Sequence, residues 1–365
     1  MTAQGNDSGG ATFVKAAFGA KNRSRLIADY LGAIQGGNIP ASSAWSHVYR
    51  LLLWIDQTTG LAHCYESDKC QPGKNWYART LAFHDWAAQA LQQSPGTLAD
   101  EIDWLFRKAT ADLATEVMHK AAKVAVTAAK QRGPYNGRGF PKPGEDPELV
   151  SIVREVLGKR ISEEPTPEEW QLLVQRLRQY LALENKRKNL VGEGFEDVLS
   201  HVIRRACGGG DVQVLTRCLL QDIPGFNRGR RGDKPNKVDL ALIRPTMRTL
   251  VTAKWSVRAD REKQFAAEFG EYVAAESEGK PFEYVFVTNE FDPARLMRAC
   301  EKLASNARMF SHVVHISTDA LKATYGPAPE ESMRRVIEYI DQGRLISLGR
   351  WLETLGGSVP DVART

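Results

Sequence analysis

Two short apolar runs fix most of what this chain can become. "VDLALI" (238–243) and "TLVTAKW" (249–255) are β-prone and joined by "RPTMR", where Pro245 suits the second position of a tight turn. Two more strand-like runs follow, "FEYVFVT" (282–288) and "HVVHIS" (312–317), with helical patterns at about 260–278 and 293–304 between them. Strands separated by helices, entered through a hairpin, predict an α/β fold: an α/β/α sandwich on a central mixed sheet. The hairpin also makes a chemical statement. If its turn centres on Pro245-Thr246, Asp239 lies across from Thr252. If it centres one residue later, Asp239 lies across from Lys254. Thr252 and Lys254 share a sheet face because side chains alternate with period two. Either way a carboxylate and an ammonium converge.

The 365 residues exceed one ordinary domain, so two are expected. Residues 11–130 read mostly as helix, apart from the turn-rich 56–77, and predict a mainly helical N-terminal domain over 1–131. The Gly/Pro-dense "RGPYNGRGFPKPGEDPE" (132–148) reads as a linker. The α/β domain is expected over 149–325, with a helical extension over 326–365. Inside it, Thr166, Pro167 and Glu169 form a capping box, and Trp170, Leu173, Leu177 and Leu181 the expected buried stripe of that helix. A second helix carries Phe195, Val198, Leu199, Val202 and Ala206 on one face, flanked near its start by Glu196, and is stopped by Gly208–Gly210.

Composition excludes several classes. Five cysteines without paired spacing argue for reduced thiols, and His63, Cys64 and Cys70 lack a second ligand pair for zinc. No apolar run approaches membrane-spanning length and no signal pattern opens the chain, so a cytoplasmic location is expected. The formal charge of +5 is mild, but its placement is not uniform. "NRGRRGDKPNK" (227–237) sets Arg228, Arg230, Arg231, Lys234 and Lys237 against one acid, Asp233, a loop suited to clamping phosphates.

A carboxylate beside a lysine at a strand end suits phosphodiester hydrolysis. The acid holds Mg²⁺, which prefers oxygen ligands and keeps several waters, while the lysine orients water and offsets developing charge. Thr252, two residues before Lys254, is neutral where an acid is common in such sites. Glu268 follows Lys254 by fourteen positions, and its helix face brings Arg261, Gln264, Phe265 and Glu268 roughly together.

"AKWSVRADREKQFAAE" (253–268) resembles the segment shared by the CCGG family of type II restriction endonucleases, within the PD-(D/E)XK nuclease superfamily. Members of that family carry a small residue in place of the acid before the lysine and recover the acid from the following helix, at the spacing of Lys254 and Glu268. The family's Lys-Trp-Ser/Thr matches Lys254-Trp255-Ser256, and its Arg-Ser/Ala-Asp-Arg matches Arg258-Ala259-Asp260-Arg261. Val238 precedes Asp239 where the family has proline. The likeness covers mainly 190–290.

The resemblance implies a Mg²⁺-dependent endonuclease cutting double-stranded DNA at a short site with a CCGG or CCNGG-like core. Asp239 and Glu268 would bind metal, with Glu196 nearby, and Lys254 would assist the attacking water. Arg258, Asp260 and Arg261 would read C·G pairs, since arginine can fork onto guanine and aspartate can accept from cytosine. Arg228, Arg230 and Arg231 would hold the backbone. A homodimer or higher homo-oligomer and a cognate DNA methyltransferase protecting the site are the implied partners. Two other readings share the residues: a catalytically inactive DNA-binding or regulatory module, because of Thr252, and a repair or modification-dependent nuclease. Trp255 is expected to pack below the site, not to stack on bases.

Overall fold

A computed structural model describes residues 14–34, 37–55, 70, 72–74, 76–135, 137–138, 146–158, 163–208, 212–227, 236–257 and 262–356. The chain divides into two compact units. One comprises 1–22 with 108–190, the other 23–107 with 191–365.

The second unit carries a six-stranded mixed sheet. Its strands are β1 (Gln213–Leu219), β2 (Lys237–Ile243), β3 (Arg248–Lys254), β4 (Phe282–Thr288), β5 (His312–His315) and β6 (Leu345–Ser347), in that spatial order. β1, β2 and β3 pair antiparallel, and β3 through β6 run parallel. Parallel neighbours need crossovers, and helices supply them: α8 (Glu262–Ala275) between β3 and β4, and α9 (Pro293–Glu301) between β4 and β5. The α/β class and the mixed sheet are therefore as the sequence predicts. In β4 the last five residues, Tyr284 to Thr288, are buried in succession because the strand lies inside the sheet and is covered on both faces.

Helices of the N-terminal half, the first of them from Arg23 onward, belong to this same unit. They are α1 (Ala20–Gly32), α2 (Ala44–Leu52), α3 (Tyr77–Ala90) and α4 (Pro95–Glu101). Tyr49 of α2 is fully buried, donates its hydroxyl to Asn289 Oδ1 at 2.8 Å and meets the Trp255 ring edge-on. Phe83 of α3 packs edge-to-face on Phe291, with centroids 5.0 Å apart. The compact units thus do not follow the expected boundaries at 131, 148 and 325. Aromatic faces on α2 and α3 are spent on the strand ends of the sheet, and a boundary at the Gly/Pro-rich 132–148 would cut that core. The C-terminal stretch is likewise not only helical. After α10 (Thr318–Tyr325) and α11 (Glu331–Asp341) it adds β6 to the sheet and then α12 (Leu348–Leu355), whose Trp351 is fully buried.

The first unit holds most of α5 (Trp104–Arg132), α6 (Pro147–Leu157) and the first part of α7 (Pro167–Ala206). The capping box forms: Thr166 N donates to Glu169 Oε2 at 2.7 Å and Glu169 N to Thr166 Oγ1 at 3.3 Å. The expected stripe does not. Trp170 is buried, but Leu173 and Leu181 are exposed at 38% and 59%. Nor are there two helices here. α7 runs unbroken through Gly192, and no proline interrupts the run. Leu190, Val191 and Phe195 are buried, which anchors the C-terminal part of α7 by packing instead of by propensity. Cys70, Cys207, Cys218 and Cys300 are free thiols. No helix among the described residues is long and apolar enough to cross a membrane.

Candidate active site

The β2–β3 hairpin settles the choice of register. Leu240 pairs with Val251, Ala241 with Leu250, and Ile243 with Arg248. Arg244 N donates to Met247 O at 2.9 Å, so Pro245 and Thr246 are the central turn residues. That register sets Asp239 opposite Thr252. Asp239 Oδ2 then collects three donors: Thr252 Oγ1 at 3.3 Å, Ala253 N at 2.9 Å and Lys254 Nζ at 2.6 Å. Thr252, buried at 2% exposure, does not supply an acid but does hold one. Asp239 Oδ1 accepts no hydrogen bond among the described residues. Charge-assisted bonds of this length make the Asp239–Lys254 pair a firm fixture of the strand ends, 21% and 27% exposed at their side chains.

Two further carboxylates come from helices on the sheet. Residues Phe265, Glu268, Phe269 and Tyr272 fall on one face of α8, because i, i+3, i+4 and i+7 coincide on a helix. Phe265 and Tyr272 are buried; Phe265 packs on Phe286 and Phe310, and Phe269 stacks on Tyr284 at 5.7 Å. This anchoring sets Glu268 against the sheet, where its Oε2 accepts from Tyr284 Oη at 3.0 Å. Burial lifts the Glu268 carboxyl above its ordinary range. The Tyr284 bond and the Lys254 charge pull it back, and Asp239 pushes it further up.

Glu196 lies on α7, whose Phe195, Val198, Leu199 and Val202 are all fully buried. Its Oε2 accepts from Arg217 Nη1 at 3.1 Å. Burial, then the negative charge of Asp239, push its carboxyl up to about 7, against the pull of Arg217 and Lys254. Below the group, Trp255 is 5% exposed and meets Phe195 edge-on at 5.3 Å, a packing residue as expected.

Asp239, Lys254, Glu196 and Glu268 therefore share one electrostatic neighbourhood. Arg258, Asp260 and Arg261, and the phosphate candidates Arg228, Arg230 and Arg231, lie outside the described residues, as do His63 and Cys64. Arg217, Asp197, Arg23 and Tyr284, which stand in and around the group, carry no mark in the sequence. Arg217 was hidden because β1 itself went unrecognised: "QVLTRCL" carries Thr, Arg and Cys where a buried strand is usually apolar. Its pairs Thr216–Leu240 and Cys218–Val238 would have placed Arg217 across from Asp239.

The set suits a hard divalent cation. Its donors are carboxylate oxygens. Half-buried Glu196 and Asp239 repel each other, with Lys254 and Arg217 to offset them. No group of three or more His, Cys, Asp or Glu side chains is gathered closely enough to hold a metal among the described residues. Two carboxylates suffice for Mg²⁺, which keeps most of its waters.

No known family profile matches the chain, and no curated protein matches it. Two solved structures are similar to it in outline. Metal-depleted Ecl18kI in complex with uncleaved, modified DNA matches 98% of this chain and 87% of its own, at 10% identity and a TM-score of 0.38. A PspGI restriction endonuclease–substrate DNA complex matches 77% and 92%, at 12% identity and a TM-score of 0.35. At those scores the likeness carries no weight for individual residues, which stand on the geometry above.

Proposed function

We propose that this protein is a Mg²⁺-dependent endonuclease of the PD-(D/E)XK type that hydrolyses double-stranded DNA at a short site with a CCGG or CCNGG-like core. One observation carries the reading: the 2.6 Å Asp239–Lys254 contact at the strand ends, with Glu196 and Glu268 converging on it from two helices. Asp239 and Glu268 would hold the metal, with Glu196 beside them. Bound Mg²⁺ supplies Lewis acidity at the phosphate and a more acidic water. Lys254 keeps its ammonium where it can orient that water and offset charge gathering on the phosphate. Thr252 and the Ala253 amide hold Asp239 still.

Arg258, Asp260 and Arg261 read the C·G pairs in this scheme, and Arg228, Arg230 and Arg231 grip the backbone. The two-fold symmetry of such sites calls for two protomers, and a cell holding the enzyme in its cytoplasm calls for a methyltransferase that protects the same site. Thr252 supports a second reading, a DNA-binding module of this fold that does not cut. Supercoiled plasmid incubated with Mg²⁺ separates the two. Discrete fragments, absent in Lys254→Ala while duplex binding persists, are expected; binding with no cutting by the natural chain sides with the second reading.

A further inference from the structure

Arg217 is the single non-glycine residue with positive φ (47°) that lies inside a strand among the described residues. Gln92, Asp103, Ser305 and Asn306 share the sign but sit at turns or at helix ends. A long side chain in the left-handed region is strained and persists only where its surroundings over-determine it. The ladder breaks there: Thr216 and Cys218 pair with Leu240 and Val238, and the Arg217–Asp239 pair between them does not form.

The contacts of the turned residue show what its surroundings demand. Arg217 Nη1 reaches Glu196 Oε2 at 3.1 Å and Glu193 O at 3.3 Å, and Nη2 bonds Asp197 Oδ1. Asp197 is a fixed anchor. It is 4% exposed and accepts from Arg23 Nε at 2.7 Å, and Arg23, itself 3% exposed, also holds Glu193 at 2.8 Å. Thr216 Oγ1 bonds Ser200 Oγ at 2.8 Å, tying β1 to α7 next door. One arm of the guanidinium is thus locked to a buried ion pair, and the other grips Glu196. Glu196 has reason to leave: it is largely buried and faces the charge of Asp239.

We propose that Arg217 is a positioning residue that holds the Glu196 carboxylate beside Asp239 for phosphodiester cleavage, with the Arg23–Asp197 pair as its fixed footing. The assignment rests on the nuclease reading. It treats the left-handed backbone at 217 as the means by which β1 delivers a two-armed cation to α7.

The test compares Arg217→Gly and Arg217→Lys with the natural chain, on a duplex bearing a site that the natural chain cuts. Three quantities are read: the melting temperature, the metal-free duplex Kd by fluorescence anisotropy, and the single-turnover cleavage rate in Mg²⁺. Glycine removes both the guanidinium and the cost of positive φ. Lysine keeps the charge and the strain but cannot span two carboxylates. Expected are a lower melting temperature for R217G, because buried Asp197 then keeps Arg23 alone, unchanged Kd for both, and cleavage by R217G, read well below its melting temperature, slower by about 10–100-fold, the usual loss when a supporting partner of a catalytic carboxylate is removed. R217K should fall between. Unchanged cleavage in R217G overturns the assignment. So does a Kd weakened as much as the rate, which would make Arg217 a DNA contact. So does R217G losing melting temperature and cleavage together while R217K keeps both, which would leave only a structural role. A natural chain that cuts no duplex removes the nuclease reading and this assignment with it, whereas cutting shared equally by R217G removes the assignment alone.

Discussion

The charge state of Glu196 gives the sharpest prediction. Its carboxyl is lifted from 4.5 to about 7 by burial first and by Asp239 second. In the unfolded chain both influences vanish. Between pH 4.5 and 7 the folded protein therefore binds more protons at this site than the unfolded one, and stability falls as pH rises across that window. The penalty is absent below the window and complete above it. Each unit of pKa difference is worth about 1.4 kcal/mol, so the lift sets a ceiling of about 3.5 kcal/mol. The side chain is 13% exposed and its neighbours can relax, which brings the expected figure to about 2 kcal/mol. Glu196→Gln removes the charge and keeps most of the shape.

In metal-free buffer at pH 8, E196Q should therefore melt above the natural chain, by about 4–8 °C at the usual 2–4 °C per kcal/mol for a unit of this size. At pH 4 the two should melt together. Addition of Mg²⁺ should narrow the pH 8 gap, because a cation held by Asp239 and Glu268 offsets the charge that Glu196 faces and stabilises the folded natural chain by mass action, a gain that the neutral side chain of E196Q does not share. Calorimetry across the pH range reads all three. A variant that melts below the natural chain at pH 8, or a gap that ignores pH, would refute the placement of Glu196 in the field of Asp239.

The packing beneath the site yields two more predictions. Trp255→Ala empties a space bounded by Phe195 and Tyr49 and should cost about 3–5 kcal/mol, measured by denaturant unfolding; a loss under 1 kcal/mol would place Trp255 outside the core. Arg23→Met leaves buried Asp197 with Arg217 alone and should cost about 3 kcal/mol, the low end for breaking a buried pair, because one partner survives. An unchanged unfolding midpoint would show that the Arg23–Asp197 bond does not hold α1 to α7.

How far the sequence could be read follows from which forces are local. The β2–β3 hairpin was legible because Pro245 sets the turn and alternation sets the faces. Its turn centre stayed open by one residue, and with it the pairing by two, since nothing local separates a turn centred on Pro245-Thr246 from the next. The structure chooses the first, and the choice shows how Asp239 is held: Thr252 faces Asp239 and bonds it, and Lys254, one step along the same face, reaches the same oxygen. The convergence of Glu268 was legible for a similar reason, as one helix follows one strand. Glu196 and Arg217 were harder, because their meeting depends on how α7 lies on β1, and the residues that decide this are apolar. Phe195, Val198 and Leu199 would bury against any sheet. The helices α2 and α3 posed the same difficulty: periodicity shows that Tyr49 and Phe83 face something, but not that they face Trp255 and Phe291. Where apolar packing alone decides the neighbour, many partners satisfy it, and the sequence leaves the answer open. Where a charge must be met, few do. Arg217 accepts a strained backbone to reach Glu196 and Asp197, so its position is fixed by chemistry that a different packing of α7 would leave unsatisfied. That dependence is why substitutions at Arg217 and Glu196, more than any change in the core, report whether the four charged groups act as one site.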